Sequence, residues 1–241
     1  MASSVLVGTS DGLYELAVET TVQFAGHKVS HLAPDTSGWW AIVNDNELWR
    51  GQGGNWERAA SSDGLRLNCV IPTPSSTLIG TSEARLLSFD GDVLNQVDTF
   101  DDAEGRDSWQ HPVGRPTGRA VDSSRSVRDD SNVHVGGIAH LDDPNGPWKA
   151  TIEVSVDVHQ VIYDDNSDLL LAASAWGLGI STDKDESWRF QTDGLHGKYL
   201  RAVAGDMVVL GTADGALYRS DDGGGKWDRG NFGCVAPGGE G

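Results

Sequence analysis

"STDKDESW" at residues 181–188 is written again as "SDDGGGKW" at residues 220–227. Serine, aspartate and tryptophan stand at the same offsets, and a spacing of about forty residues is one at which a repeat architecture is the first thing to seek. The copies fade toward the N-terminus. "LDDPNGPW" at 141–148 keeps Asp143 and Trp148 but has Leu141 in place of the serine, while "SFDGDVLN" at 88–95 keeps Ser88 and Asp90 and loses the tryptophan. Such a worn repeat reads as a structural part, because an active site needs one constellation.

Outward from these motifs, six units share a β-rich run ending in small and polar residues. They are "VLVGTSDGLY" (5–14), "WAIVNDNELW" (40–49), "TLIGTSEARLL" (77–87), "NVHVGGIAHL" (132–141), "LLAASAWGLGI" (170–180) and "VVLGTADGALY" (208–218). Ahead of units two to six stands an apolar residue, two variable ones and another apolar one: "VSHL" (29–32), "LNCV" (67–70), "SRSV" (124–127), "VHQV" (158–161) and "LRAV" (200–203). A turn follows most units, often with a tryptophan, at Trp56, Trp148, Trp188 and Trp227. Each unit thus supplies four short strands, A to D, joined by glycine, asparagine and aspartate turns.

Helix-period stretches of useful length are absent, and regularly spaced strands of this kind predict an all-β, six-bladed β-propeller of four-stranded antiparallel blades. Unit one has no strand A of its own. "FGCVAP" at 232–237 matches "LNCVIP" at 67–72, so the C-terminal strand is expected to join the N-terminal blade and close the ring. The blades of this single domain, 1–241, are then 1–25 plus 231–237, 29–60, 67–100, 124–153, 157–192 and 199–230, with a long insertion at about 101–122.

The chain resembles the BNR or Asp-box repeat superfamily, which includes sialidases, sortilin-type receptors and a photosystem II assembly factor. In such a box the serine and aspartate side chains bond backbone groups of the C to D turn and the tryptophan packs over it. The resemblance therefore implies a structural role for Ser181, Asp183, Trp188, Ser220, Asp222 and Trp227. It carries no F/Y-R-I-P signature of the sialidases, and only Tyr199, Arg125, Arg201 and Glu83 stand in for parts of their machinery.

Net charge is −18 with a pI near 4.5, aspartate outnumbers glutamate and lysine is scarce, the composition of a halophilic, haloarchaeal-type surface. Nucleic acid is not expected as a partner, since the field repels phosphates and no basic run offsets it. No apolar run is long enough to span a membrane, so neither membrane insertion nor a leader is expected, and the expected location is cytoplasmic. Cys69 and Cys234 are too few for a disulfide framework and lack metal-ligand spacing.

Function is sought where units break the pattern. The second position of the strand A signature is Ser30, Asn68, Arg125, His159 and Arg201, with Gly233 in the closing strand. Where other units end strand B in Thr9, Asn44, Thr81, Ser174 or Thr212, unit four has His134. The 101–122 insertion carries Trp109, His111, Arg115 and Arg119, "GLHGKYLR" adds His196, Lys198 and Tyr199, and Trp176 sits in a B to C turn. Propellers present ligands at the channel end where B to C and D to A loops gather, and arginine binds carboxylate or phosphate with a planar fork.

The reading is a monomeric, non-catalytic binding or scaffolding propeller without cofactor. It takes a protein partner or a small anionic ligand at Arg125, His134, His159, Arg201, Asn68, Trp176 and Tyr199. The alternatives are a sialidase-like glycoside hydrolase, or a metal-dependent enzyme using His134, His159 and Asp157 or His140.

Overall fold

In the computed structural model, the described residues are 5–17, 19–73, 76–82, 84–108, 129–133, 137–141, 146–164, 167–195, 199–205, 209–212, 215–222 and 225–230. Alternating apolar and polar residues fold them into successive antiparallel sheets. Four sheets have four strands each, over 29–61, 67–96, 158–191 and 200–230, and within each the strands lie in chain order. Two more, over 5–23 and 129–152, have three strands among the described residues. The chain is an all-β propeller of four-stranded antiparallel blades. Six four-stranded blades are not what the described residues contain: the inner strands expected at 124–127 and 231–237 lie outside them.

Strands near the middle of a sheet are covered on both faces, which is why Trp40, Ala41, Ile42 and Val43 are all buried in succession. Among the described residues five apolar clusters result, one at each seam between consecutive sheets. Leu13 and Val29 meet at the first, Ile42 and Ile79 at the second, and Ile71 and Leu141 at the third. Ile138 and Val161 meet at the fourth, and Leu178 and Leu200 at the fifth.

The repeated tryptophans belong to these seams. Trp56, Trp148, Trp188 and Trp227 each join the cluster that their own sheet shares with the preceding one. The residue expected as a cover for its own turn is therefore also a wedge between blades. Trp148 is buried and meets Phe100 edge to face, ring centroids 5.0 Å apart. Where unit three lacks a tryptophan, Phe89 and Leu94 join the seam instead.

The C to D turns are tied as the motif requires. Ser181 Oγ accepts the amide of Asp185 at 2.9 Å and donates to Asp183 Oδ1 at 2.8 Å, while Asp183 accepts the Ser187 amide at 2.9 Å. In the next blade Ser220 donates to Asp222 at 2.9 Å, and Asp222 accepts the Lys226 amide at 2.8 Å. These bonds hold both carboxyls below the ordinary carboxylate value, for Asp183 through Ser187 first and for Asp222 through the Lys226 amide first.

The beginning of the expected insertion is folded. Asp98–Asp101 makes one helical turn and Arg106–Ser108 a 3-10 turn, with Phe100 and Ala103 buried between the sheets over 67–96 and 129–152. Asp101 pairs there with Arg85 and, at 3.0 Å, with Arg106, whose other nitrogen donates to the Ala84 carbonyl at 3.0 Å. Residues 109–122, with Trp109, His111, Arg115 and Arg119, lie outside the described residues.

Trp148→Ala is expected to destabilise the fold by about 3–5 kcal/mol, the range for deleting a buried large aromatic. Trp176→Ala, on an exposed turn, should stay within about 0.5 kcal/mol. Urea unfolding followed by circular dichroism measures both, and equal losses would remove the wedge role.

Candidate functional site

The second position of the strand A signature is a structural feature. Pairing between strands A and B shifts register at Ser30 in Val29–Asp35, at Asn68 in Leu67–Pro72, at His159 in Val158–Asp164 and at Arg201 in Leu200–Ala204. A bulge of this kind re-aims one side chain relative to its neighbours. The four residues are thus equivalent in the fold as well as in sequence, at the end where the B to C turns and D to A connections meet. Arg125 and His134 lie outside the described residues.

His159 turns inward. Its ring is buried, with Nδ1 2.5 Å from the carbonyl oxygen of Leu200 and Nε2 2.7 Å from the hydroxyl of Tyr199, both on the next blade. Tyr199 in turn donates to Asp157 Oδ2 at 2.7 Å. A carbonyl oxygen accepts, so Nδ1 carries a proton. The Tyr199 hydroxyl thus bridges the imidazole and the Asp157 carboxylate, whose Oδ2 stands 3.5 Å from Nε2. Burial raises the Tyr199 phenol above its ordinary value, and the bond to Asp157 adds to that.

Asp157 is anchored by its own backbone. It adopts the left-handed region, at φ 52°, and its carbonyl accepts the Ala175 amide of the B to C turn at 3.1 Å. This turn presents Trp176, which is half exposed and meets Phe190 edge to face at 5.9 Å.

Arg201 turns outward. Its guanidinium lies over the Tyr199 ring, 4.9 Å from the centroid, and is exposed. Among the described residues no carboxylate forms an ion pair with it. Two other cations at this end are neutralised: Lys28 and Arg66 both reach Asp45, at 2.8 and 3.1 Å. Asn68, half buried, accepts a bond from Ser82 Oγ at 3.1 Å. The structure therefore brings His159, Tyr199 and Arg201 together around Asp157. Asn68 belongs to the inner strand of another sheet, 67–96.

Among the described residues the proposed metal ligands form no group of three: His159 meets Asp157 but not His140, and His134 lies outside them. His140 stands near the C to D end of its strand, with Nδ1 3.2 Å from Asp185 Oδ2 in the turn of the next blade, whereas His159 begins its strand at the opposite end. The His140–Asp185 pair was not visible in the sequence, because its halves sit on different repeats and at non-equivalent positions. The partnership of Tyr199 with His159 and Asp157 escaped for the same reason.

No protein-family model and no curated protein matches the chain. Solved structures share its fold. YCF48 bound to D1 peptide gives a TM-score of 0.63 at 13% identity, over 95% of this chain and 78% of that one. YCF48 from Cyanidioschyzon merolae gives 0.60 at 17% identity, over 95% and 86%. The extracellular domain of the putative hybrid two component system BT4673 from B. thetaiotaomicron gives 0.70 at 12% identity, over 94% of this chain and 31% of that one. The protein is similar to these in architecture.

Tyr199→Phe removes the hydroxyl between His159 and Asp157 and should cost about 1–3 kcal/mol, because a buried imidazole and a half-buried carboxylate each lose a partner. Chemical denaturation against wild type checks this; an unchanged midpoint would mean that the bridge does not hold the seam.

Proposed function

We propose that the protein is a non-catalytic binding propeller that captures a protein segment through a carboxylate at Arg201. The carrying observation is this exposed guanidinium, fixed against Tyr199 and unneutralised among the described residues, in a molecule of net charge −18. A planar fork held over an aromatic ring loses little freedom on binding a carboxylate. Trp176 on the neighbouring turn supplies an aromatic face for the rest of the segment. The surrounding acidity rejects polyanions, so the favoured segment carries one carboxylate among neutral or basic residues. Two structural neighbours point the same way in kind: YCF48 was solved with a D1 peptide, and nidogen, at a TM-score of 0.62 and 11% identity, with laminin.

The test is fluorescence anisotropy on a panel of labelled peptides, each with a single carboxylate or its amide. Wild type should prefer the carboxylate. Arg201→Ala should lose about 1.5–3 kcal/mol of that binding, the worth of a charged hydrogen bond, with an unchanged melting temperature. Equal binding by variant and wild type, or no preference for carboxylate over amide, sinks the proposal.

We propose further that the scaffold is a closed ring of six Asp-box blades, in which 231–237 supplies the inner strand of the first sheet. Support comes from the match of "FGCVAP" to "LNCVIP" and from one face of that sheet. Val5, Val7, Leu16 and Val22 share it by register and are exposed, on the side away from the second sheet. Deleting 231–241 should then unfold or oligomerise the chain in light scattering and thermal melts. A truncated monomer of unchanged stability contradicts closure.

A further inference from the structure

At the other end of the propeller, where A to B and C to D turns gather, a cavity of about 270 Å³ opens between the first two sheets. Its lining includes Leu6, Glu15, Gln23, Trp39, Gly51 and Trp56. Strand register explains the composition. Trp39 pairs with Gly51 and Gly51 with Trp56, so the three form one row across the sheet over 29–61, on the face that looks toward the first sheet. Leu6 and Glu15 are likewise paired, on the first sheet's facing side.

The glycine in this row is required. A Cβ on Gly51 would stand 2.6 Å from the Trp56 ring, so the indole lies across the space that a side chain would fill. Phe24 braces that indole edge to face, with centroids 5.4 Å apart. Trp39 keeps 36% of its surface exposed. The cavity is thus lined by two indoles, Trp56 held over Gly51 and Trp39 protruding.

The polar groups of the cavity are uncommitted. Glu15 and Gln23 are half buried, and neither side chain makes a hydrogen bond or ion pair among the described residues. The lining contains no cation. The nearest arginine in the row beside it, Arg50, belongs to the opposite face with Trp40 and is engaged by Asp35 at 3.5 Å and Ser37 at 2.9 Å.

We propose that this cavity binds a small organic cation, a quaternary or alkylated ammonium group. The indole faces present the negative side of their quadrupole, which attracts a diffuse cation. Glu15 supplies the counter-charge, and the net charge of −18 raises the local concentration of cations. An anion meets repulsion from both. A neutral sugar gains stacking on Trp39 but leaves the Glu15 carboxylate without a counter-ion. This site is at the opposite end from Arg201 and stands or falls separately from the peptide reading.

The experiment titrates choline and its neutral isostere 3,3-dimethylbutanol into the full chain at low salt, following tryptophan fluorescence and isothermal heat. Methyl glucoside serves as the saccharide arm. Choline should saturate and bind at least about tenfold more tightly than the isostere, the factor expected of a cation–π and carboxylate contribution. Glu15→Gln should reduce choline affinity by about tenfold with an unchanged melting temperature, and Trp39→Ala should abolish the fluorescence response. Equal affinity for choline and 3,3-dimethylbutanol would reduce the cavity to an apolar pocket and overturn the proposal. So would saturation by methyl glucoside without choline binding, the absence of any choline response, or full affinity in Glu15→Gln.

Discussion

An indole pressed between two sheets is the contact that the rest of this propeller depends on. A meander of four strands buries one face against the blade before it and the other against the blade after it, and in isolation it buries neither. At four seams a tryptophan from the start of strand D crosses to the preceding blade, at Trp56, Trp148, Trp188 and Trp227. The Asp-box bonds at Ser181 and Ser220 hold the turn just ahead of Trp188 and Trp227. A local hydrogen-bonded turn thereby sets a non-local contact. This explains why serine, aspartate and tryptophan recur as a set, and why the set is best preserved where turn and wedge are both present.

Repetition made the architecture legible and hid the pairs that cross it. The strand pattern, the turn residues and the alignment of Ser30, Asn68, His159 and Arg201 are properties of one unit at a time. The sequence therefore displays them, and the shared bulge shows that the alignment was physical. His159 with Tyr199, and His140 with Asp185, join different units, and no offset within a unit encodes them. Of the three histidines read as ligand candidates, His159 and His140 are inter-blade fasteners and His134 lies outside the described residues. The helical turn at Asp98–Asp101 went unread because four residues give too short a period, although the apolar Phe100 and Ala103 were there to be noticed. The cavity beside Trp39 was missed because its walls come from the two units in which the Asp box is most degenerate. The legible signal was the row Trp39, Gly51 and Trp56, which needs strand register to be seen.

The equivalent bulges also show how one scaffold position acquires different roles. A serine at Ser30 reaches only as far as the nearby Asp45 carboxylate, and a half-buried Asn68 is bonded by Ser82. A histidine at the same place is long enough to cross the seam, and an arginine is long enough to turn back over the ring of Tyr199. Tyr199 is thus shared: its hydroxyl fastens the blades and its face orients the guanidinium. A structural bond and the proposed binding group use the same side chain at different atoms, so the phenol oxygen can be removed while the ring, and the cation upon it, remain.

Charge decides which groups are available for binding. In a chain with twice as many acidic as basic residues, a cation placed at random finds a carboxylate. Lys28 and Arg66 share Asp45, Arg85 and Arg106 share Asp101, and Arg58 meets Glu47 at 2.9 Å. Exposed pairs of this sort add little stability each, but every one removes a cation from the surface as a recognition group. A guanidinium that escapes has to be held away from the carboxylates by something other than charge, and an aromatic face does this for Arg201. The same surplus of acid works in reverse at the other end of the molecule. There the field already favours cations, so the proposed site needs only a Glu15 left without a partner among the described residues and lined by indoles. The two proposed sites thus draw opposite preferences from one acidic surface, the first by shielding a cation and the second by leaving a carboxylate bare.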